Sequence, residues 1–261
     1  MAGLLETLKS LPGVRRYRKK KYRRRFEREG THNLFFGSYQ SFAEAQEDAP
    51  RNRGLGYDTP AAADMYEDHL ERVWPEHYPV LFWVSRAWST YRRVLDFGGH
   101  RGSLFYASRR LLGLGPEWIV FDVPAVVEAG RRRAAASGVQ GLSFESDLTR
   151  VGGVDLVIAA GSLQYVEDTA SEWLARIGGQ PRQLIVSTTP FHPEQEFVTL
   201  NNIGTAYCPY KVRREGQFFG ELERCGYRVV EEWHHPGKRC YVPFHVGEWD
   251  VTYRGALLER R

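Results

Sequence analysis

The residues best suited to chemistry form a short run in which an apolar segment ends in an acid and a glycine-rich turn. Asp96 closes the apolar segment, and Gly98, Gly99 and Gly102 follow within six residues. Glycine lets the backbone turn sharply beside a ligand without a clashing Cβ. The free N–H groups at the start of a helix, predicted over 103–113, can hold a carboxylate or phosphate. The run therefore predicts a pocket for the polar end of a nucleotide-like cofactor.

Further acids and a glycine stand where later strands are predicted to end. They are Asp122 and Val123 after the strand over 117–122, Asp147 and Leu148 after 142–145, and Gly161 after 154–159. In parallel sheets the carboxyl ends of the strands meet at one edge, where ligands bind. Asp122 suits the two ribose hydroxyls of a nucleoside, and Asp147 suits its adenine amino group. Together these positions predict a cofactor site along one edge of a sheet.

The order of the acid and the glycines distinguishes between kinds of nucleotide site. A dinucleotide site has G-x-G-x-x-G after its strand, and a P-loop ends in Gly-Lys-Ser/Thr; the turn has neither pattern. An acid two residues before the first glycine resembles the class I S-adenosylmethionine-dependent methyltransferases. The resemblance implies S-adenosyl-L-methionine as the cofactor, with its amino group beside Asp96 and its carboxylate at the backbone N–H groups of the turn.

The elements that must position these residues alternate between strands and helices from residue 93 onward, which is typical of an α/β fold with a parallel sheet. We predict a Rossmann-like class I methyltransferase fold. It has a seven-stranded, mostly parallel sheet with helices on both faces and an N-terminal helical and aromatic extension. The predicted division is a basic, flexible arm over 1–30, a helical lid or cap over 31–90, and a methyltransferase domain over 91–261. A long connection after the fifth strand, 189–213, is predicted to be an acceptor-binding loop.

Methyl transfer to a hydroxyl group benefits from a positioned general base. In many small-molecule O-methyltransferases a catalytic histidine follows the fourth strand, where this chain has Gln164 instead. His192, after the fifth strand, is therefore the candidate base. His100 in the glycine turn is predicted to lie near the cofactor's carboxylate, and His234 and His235 are weaker candidates for the base.

Aromatic and amide side chains supply the candidates for binding the acceptor. We assign this role to Gln164 and Tyr165 after the fourth strand, to Tyr39 in the aromatic segment before the domain, and to Tyr207 in the predicted loop. Asp, Glu, His and Cys do not cluster with the spacing of metal ligands, and no metal is predicted.

The positive charge of the chain is concentrated at its start. Residues 1–30 carry 11 Lys or Arg against 3 Glu, a net charge of +8, whereas the remaining residues carry −4. Leu4, Leu5, Leu8 and Leu11 add an apolar stripe at helical spacing, so we predict binding to an anionic membrane surface. Contact with nucleic acid and a merely solvated tail remain open. Scattered cysteines and the absence of a spanning apolar run predict a cytoplasmic protein, peripheral at the inner face of the membrane.

A narrower resemblance covers about residues 34–260. It is carried by Phe36-Gly37, Gly56-Tyr57-Asp58, Leu163-Gln164-Tyr165 and Thr189-Pro190-Phe191. These segments resemble a methyltransferase family found largely in bacterial surface-polysaccharide and lipopolysaccharide gene clusters. The resemblance implies methylation of a sugar hydroxyl of a surface glycan or its precursor. A nucleic-acid methyltransferase and a non-catalytic cofactor-binding module are the alternatives.

Overall fold

Strands and helices alternate through most of the chain in a computed structural model that describes residues 11–245 and 251–261. The strands are β1 (Leu34–Tyr39), β2 (Gly54–Leu55), β3 (Arg93–Phe97), β4 (Glu117–Phe121), β5 (Leu142–Glu145), β6 (Leu156–Ala160), β7 (Gln183–His192), β8 (Phe197–Asn202), β9 (Ala206–Arg214), β10 (Tyr227–His234) and β11 (Thr252–Arg260). The helices are α1 (Pro12–Glu27), α2 (Phe42–Glu47), α3 (Pro60–Ala63), α4 (Asp68–Glu71), α5 (Tyr78–Arg86), α6 (Ser103–Leu112), α7 (Pro124–Ser137), α8 (Ala170–Ile177) and α9 (Glu215–Arg224). Short 3-10 turns cover Pro75–His77, Leu148–Arg150 and Leu163–Tyr165.

Seven of the strands form the central sheet in the order β5-β4-β3-β6-β7-β11-β10. The pairings from β5 through β7 are all parallel. Strand β11 runs antiparallel to β7, and β10 runs antiparallel to β11. This topology confirms the predicted α/β fold with a mostly parallel sheet. Among the described residues the sheet has eleven strands rather than the predicted seven, because β9 pairs in parallel with the end of β7 and joins β8, β1 and β2 to it.

Apolar layers cover both faces of this sheet. Neighbouring residues of a strand point to opposite faces, and on β3 Val94 packs in a cluster with Phe105 of α6. The next residue, Leu95, packs in a second cluster with Trp173 of α8. Because both faces are covered, the central strands are continuous apolar runs rather than alternating ones. Their polar carboxyl ends are thus set against a rigid core.

Residues 189–213, predicted to be an acceptor-binding loop, are instead largely β-structure. Strand β7 continues through His192, and β8 and β9 form an antiparallel hairpin, with register from Phe197↔Val212 to Asn202↔Tyr207. Strand β1 pairs with β8, and β2 pairs with β9. The hairpin is almost entirely buried because it lies between β1 and the central sheet. Strand β9 also pairs in parallel with the end of β7, so the backbone groups of the hairpin are paired within an extension of the sheet rather than left to solvent.

The N-terminal segment is joined to the body of the protein over its described part. Residues 12–27 of the predicted arm form helix α1, which is anchored by the fully buried Phe26. Residues 31–90, predicted as a helical lid, also contribute strand β1 to the sheet. Leu4, Leu5 and Leu8 of the predicted apolar stripe lie outside the described residues. Within 11–245 and 251–261, no helix combines the length and apolar character needed to cross a membrane.

Candidate active site

The turn after β3 leaves no room for a side chain at two positions. Gly98 has φ of +70°, and a Cβ built on it would lie 2.2 Å from the Cβ of Ser162. A Cβ on Gly99 would lie 2.4 Å from Cγ of Asp96. The Gly98 N–H donates a 2.7 Å hydrogen bond to the carbonyl of Phe121. The turn is thus fixed against the ends of both neighbouring strands, β4 and β6.

Asp96 is buried at the end of β3, with 1% of its surface exposed. Its Oδ2 accepts a 3.2 Å hydrogen bond from Nε1 of Trp118. Burial raises the pKa of Asp96 to about 7; the Trp118 hydrogen bond opposes this shift and the charge of Asp122 adds to it. A buried carboxyl group in this state is stabilised as an anion by a cation placed beside it.

Asp122, at the end of β4, holds two backbone groups. Its Oδ1 accepts from the N–H of Val123 at 2.8 Å and its Oδ2 from the N–H of His100 at 2.9 Å. Burial raises the pKa of Asp122 to about 6, although both backbone hydrogen bonds lower it. Each carboxylate oxygen can accept more than one hydrogen bond, so the side chain keeps capacity for ligand hydroxyls. Asp122 thereby ties the glycine turn to the start of α7.

A cavity of about 610 Å³ opens at this edge of the sheet. It brings together eight of the residues selected from the sequence, namely Asp96, Gly98, Gly99, Asp122, Val123, Gly161, Gln164 and Tyr165. His100 lies in its wall as well, with Nε2 3.1 Å from the carbonyl oxygen of Ala62. Burial lowers the pKa of His100 to about 4, so its imidazole is neutral at neutral pH.

Three predicted cofactor residues lie outside the cavity wall. Asp147 is exposed, and its Oδ1 accepts from both the backbone N–H and the hydroxyl of Thr149. It therefore caps the following 3-10 turn and does not line the cavity; its predicted contact with adenine stays a prediction. Leu148 packs in the apolar cluster beneath β3. Gly102, with φ of +87°, is the residue at which α6 begins.

The predicted base and two predicted acceptor residues also lie elsewhere. His192 is buried outside the cavity wall, and its Nδ1 accepts from the N–H groups of Glu194 and Gln195, both at 3.0 Å. Tyr39 donates its hydroxyl to Asp48 at 2.6 Å. Tyr207 is fully buried and stacks on Phe26, with ring centroids 5.1 Å apart. These side chains have structural partners because all three lie on strands of the sheet, His192 on β7, Tyr39 on β1 and Tyr207 on β9, rather than on a loop.

The two histidines after the penultimate strand do not line this cavity either. His234 is exposed on β10. His235 is buried, and its Nε2 lies 3.0 Å from the hydroxyl of Ser187. Neither side chain faces the glycine turn.

The second half of the cavity is formed by residues that the sequence did not single out as site residues. Residues 57–77, here called the covering segment, contribute Tyr57, Tyr66, His69 and His77 to the wall. In the sequence, Tyr57 stands out only as part of Gly56-Tyr57-Asp58, one of the segments that carry the family resemblance. No local pattern distinguishes His69 and His77 from other histidines of the chain. Side chains separated by dozens of residues meet here because the segment folds back over the glycine turn.

The covering segment is tied to the cofactor side of the cavity at several points. Oδ1 of Asp58 accepts from the N–H of Ala125 at 2.8 Å. Glu67 forms ion pairs with Arg101, in the glycine turn, and with Arg133 of α7. The position of the segment is thus set by the same turn and helix that flank Asp122.

Hydrogen-bonding groups cluster in the compartment beyond the glycine turn. The hydroxyl of Tyr57 donates to that of Tyr165 at 3.2 Å, and Tyr165 donates to Oδ1 of Asn201 at 3.2 Å. Burial raises the pKa of both tyrosines well above 10, so they remain neutral hydroxyl groups. Gln164 is 5% exposed and donates Nε2 to the Gly161 carbonyl at 2.7 Å. Its buried Oε1 has no hydrogen-bond partner within the described part of the chain.

Two cations of the hairpin hold the segment that carries Gln164 and Tyr165. Arg213, with 1% of its surface exposed, donates to the carbonyls of Leu163, Val166 and Asp168 at 2.9 to 3.1 Å. Lys211 donates to the carbonyl of Glu167 at 2.8 Å. The hairpin therefore fixes the backbone of the residues that face the cavity.

Solved structures with a similar fold include methyltransferases. The N-terminal domain of EvdMO1, solved in the presence of SAH and D-fucose, is 13% identical, with a TM-score of 0.50 and coverage of 73% of this chain and 85% of that chain. Magnesium protoporphyrin IX methyltransferase (ChlM) from Synechocystis PCC 6803, solved with bound SAH, is 17% identical, with a TM-score of 0.50. The match covers 79% of this chain and 90% of that chain. A scan against family models and a search of curated proteins gave no match.

The chain has the class I methyltransferase fold. In that fold the residues of this cavity fit S-adenosylmethionine. The glycine turn leaves space that a Cβ at position 98 or 99 would fill, and Asp96 is a buried acid that a cationic amino group would ionise. Asp122 would accept from the ribose hydroxyls while it holds the turn. The compartment lined by Tyr57 and Gln164 lies beyond this set of residues, where an acceptor would be held.

Proposed function

We propose that this protein is an S-adenosylmethionine-dependent methyltransferase. The observation that carries the proposal is the placement of two acids, the buried Asp96 and the half-buried Asp122, around a turn that admits no side chain at Gly98 and Gly99. The cofactor supplies an activated methyl group. The protein's own contribution is to align the methyl acceptor with that methyl group and to take up the proton that the acceptor loses.

For the acceptor, we propose a sugar hydroxyl of a surface glycan or of its lipid-linked or nucleotide-linked precursor. The compartment beyond the glycine turn presents neutral hydrogen-bonding groups from Tyr57, Tyr165, Asn201 and Gln164. Such groups pair with several hydroxyls of one ligand, while aromatic rings cover its apolar face. The presence of D-fucose with SAH in the EvdMO1 structure supports the same choice. This acceptor implies a cytoplasmic enzyme that works at the inner face of the membrane.

We assign the removal of the acceptor's proton to the two histidines of the covering segment. The rings of His69 and His77 have centroids 5.9 Å apart, and both side chains lie in the cavity wall. Burial lowers the pKa of His69, and it lowers that of His77 to about 4, so both rings are unprotonated at neutral pH and keep a free lone pair. Nδ1 of His77 is buried without a hydrogen-bond partner in the described residues. This pair takes the place of His192, whose Nδ1 is already hydrogen-bonded to the backbone.

Cofactor binding provides the first test, with a matched control in the chain. Isothermal titration with SAH should show binding to the wild type, a loss of at least tenfold in affinity for Asp122→Ala, and little change for Asp147→Ala. Both variants remove an acid after a strand, but only Asp122 faces the cavity. No binding to the wild type, or equal losses in the two variants, would contradict the proposal.

Acceptor identity needs a second assay. Release of SAH from S-adenosylmethionine should depend on an added glycan, nucleotide-linked sugar or lipid-linked sugar, and mass spectrometry should find the methyl group on a sugar oxygen. Methylation of RNA in preference to every sugar would favour the nucleic-acid alternative. Tight cofactor binding without turnover of any acceptor would favour a non-catalytic binding module.

A further inference from the structure

The outer surface of α1 carries a dense positive charge that the cavity does not use. Nine of its 16 residues are Lys or Arg and one is Glu, a net charge of +8. Arg16, Lys20 and Arg24 are exposed and four residues apart, so they form one stripe that is turned away from Phe26. Among the described residues, Arg23 is the only member of α1 whose basic side chain forms ion pairs, with Glu27 and Asp48. The stripe is therefore open to an external anion.

The helix holds these charges at fixed positions relative to the body of the protein. Phe26 packs against Phe36 and Tyr207, with ring centroids 5.6 and 5.1 Å away. Asn202 of β8 donates its Nδ2 to the carbonyl of Phe26 at 2.6 Å. Arg23 bonds to both the side chain and the backbone carbonyl of Asp48. A partner that binds the stripe thus orders less chain than one that binds a flexible tail.

The helix also lies next to the acceptor half of the cavity. Neighbouring residues of a strand point to opposite faces. On β1, Phe36 packs beneath α1, whereas Phe35 lines the cavity. One strand therefore separates the basic helix from the compartment that holds the acceptor. A surface that binds α1 is brought close to that compartment.

We propose that α1 docks the protein on an anionic phospholipid bilayer. Positive charge alone would also suit nucleic acid, but the start of α1 adds exposed apolar and aromatic groups. Leu11 is 46% exposed, Val14 39% and Tyr17 68%. Basic residues beside exposed apolar and aromatic residues are typical of elements that bind the membrane interface, where phosphate groups and acyl chains are both present. This docking does not depend on the methyl-transfer reaction.

The proposal is tested by sedimentation of the full chain with vesicles. The protein should bind vesicles of phosphatidylcholine mixed with phosphatidylglycerol, should not bind phosphatidylcholine alone, and should be released by salt. The triple variant R16Q/K20Q/R24Q should weaken the binding by about 100-fold, since each basic residue near an anionic surface contributes roughly fivefold. The matched control R86Q/R132Q/R224Q removes the same charge from exposed positions elsewhere and should bind as the wild type does. Unchanged SAH binding by both triple variants shows that the fold is intact.

A second variant distinguishes the bilayer from nucleic acid. Tyr17→Ser keeps every charge, so it should weaken binding to anionic vesicles severalfold and leave unchanged the binding to a double-stranded RNA, whose bases are not free to stack on a tyrosine. The proposal is wrong if the R16Q/K20Q/R24Q variant binds anionic vesicles like the wild type. It is equally wrong if RNA displaces the protein from vesicles and binding to vesicles is insensitive to Tyr17→Ser.

Discussion

Replacement of Asp96 by Asn should change how the stability of the ligand-free protein depends on pH. Burial raises the pKa of Asp96 from 3.8 to about 7. Because its pKa is higher in the folded state, its contribution to stability is fully present below the unfolded value and is lost as pH rises through 7. A pKa difference of about 3 corresponds to about 4 kcal/mol. Wild-type stability should therefore fall by up to about 4 kcal/mol between pH 4 and pH 8 on account of this one group.

Asp96→Asn removes the charge and keeps an oxygen that can accept from Trp118. Urea unfolding at several pH values should show the variant gaining stability relative to the wild type as pH rises, mostly between pH 5 and 7.5. The difference between the two proteins isolates Asp96 from the histidines, whose lowered pKa values act in the opposite direction. Parallel stability curves for wild type and variant would refute the assignment of a buried, partly protonated acid at this position.

The same acid should make cofactor binding depend on pH. If the amino group of SAH pairs with ionised Asp96, its affinity should fall roughly tenfold from pH 7.0 to 5.5, as the ligand-free carboxyl group becomes protonated. Asp96→Asn should bind SAH more weakly and lose most of this dependence. The remainder comes from Asp122, the pKa of which burial raises to about 6. An affinity for SAH that is constant over this range in the wild type would show that Asp96 does not hold the amino group.

Three further substitutions test individual contacts. Gly99→Ala places a Cβ 2.4 Å from Cγ of Asp96, so the affinity of this variant for SAH, measured by calorimetry, should fall at least tenfold. The control Gly216→Ala adds a Cβ with no atom within 4 Å and should bind SAH as the wild type does. Arg213→Met leaves three carbonyls without their buried donor and should lower the free energy of unfolding in urea by about 2–4 kcal/mol. His77→Phe should lower the rate of methyl transfer about 10²- to 10⁴-fold with SAH affinity unchanged; a normal rate would remove His77 from proton transfer.

The central sheet and half of the cavity could be predicted from the sequence because both depend on local patterns. Strands buried on two faces are continuous apolar runs, and acids such as Asp96 and Asp122 stand directly at their ends. Asp147 also follows a strand, so in the sequence it cannot be distinguished from Asp96 and Asp122. In the structure it differs from them because the N–H and the hydroxyl of Thr149, two residues on, both bond to its carboxylate. A local cap of this kind cannot be told from a ligand contact by spacing alone.

The place of the hairpin in the fold could not be predicted because its strand β8 pairs with a segment that is distant in sequence. Leu34 of β1 pairs with Asn202 of β8, and no local pattern indicates that the two segments meet. Asn201, Asn202, Gly204 and Pro209 resemble loop residues when taken alone. In the folded chain Asn202 donates its side-chain amide to the carbonyl of Phe26 in α1. The incorrect loop prediction then carried His192 and Tyr207 into the predicted site.

The two halves of the cavity are mechanically connected through the glycine turn. On one side the turn is held by Asp122, which accepts from the N–H of His100. On the other side the ring of His100 meets the carbonyl of Ala62, and Arg101 pairs with Glu67 of the covering segment. A cofactor that binds the turn therefore also fixes the segment that carries His69 and His77. Since these histidines border the acceptor compartment, cofactor binding should complete the acceptor's surroundings, and the acceptor should bind more tightly to the cofactor-bound protein.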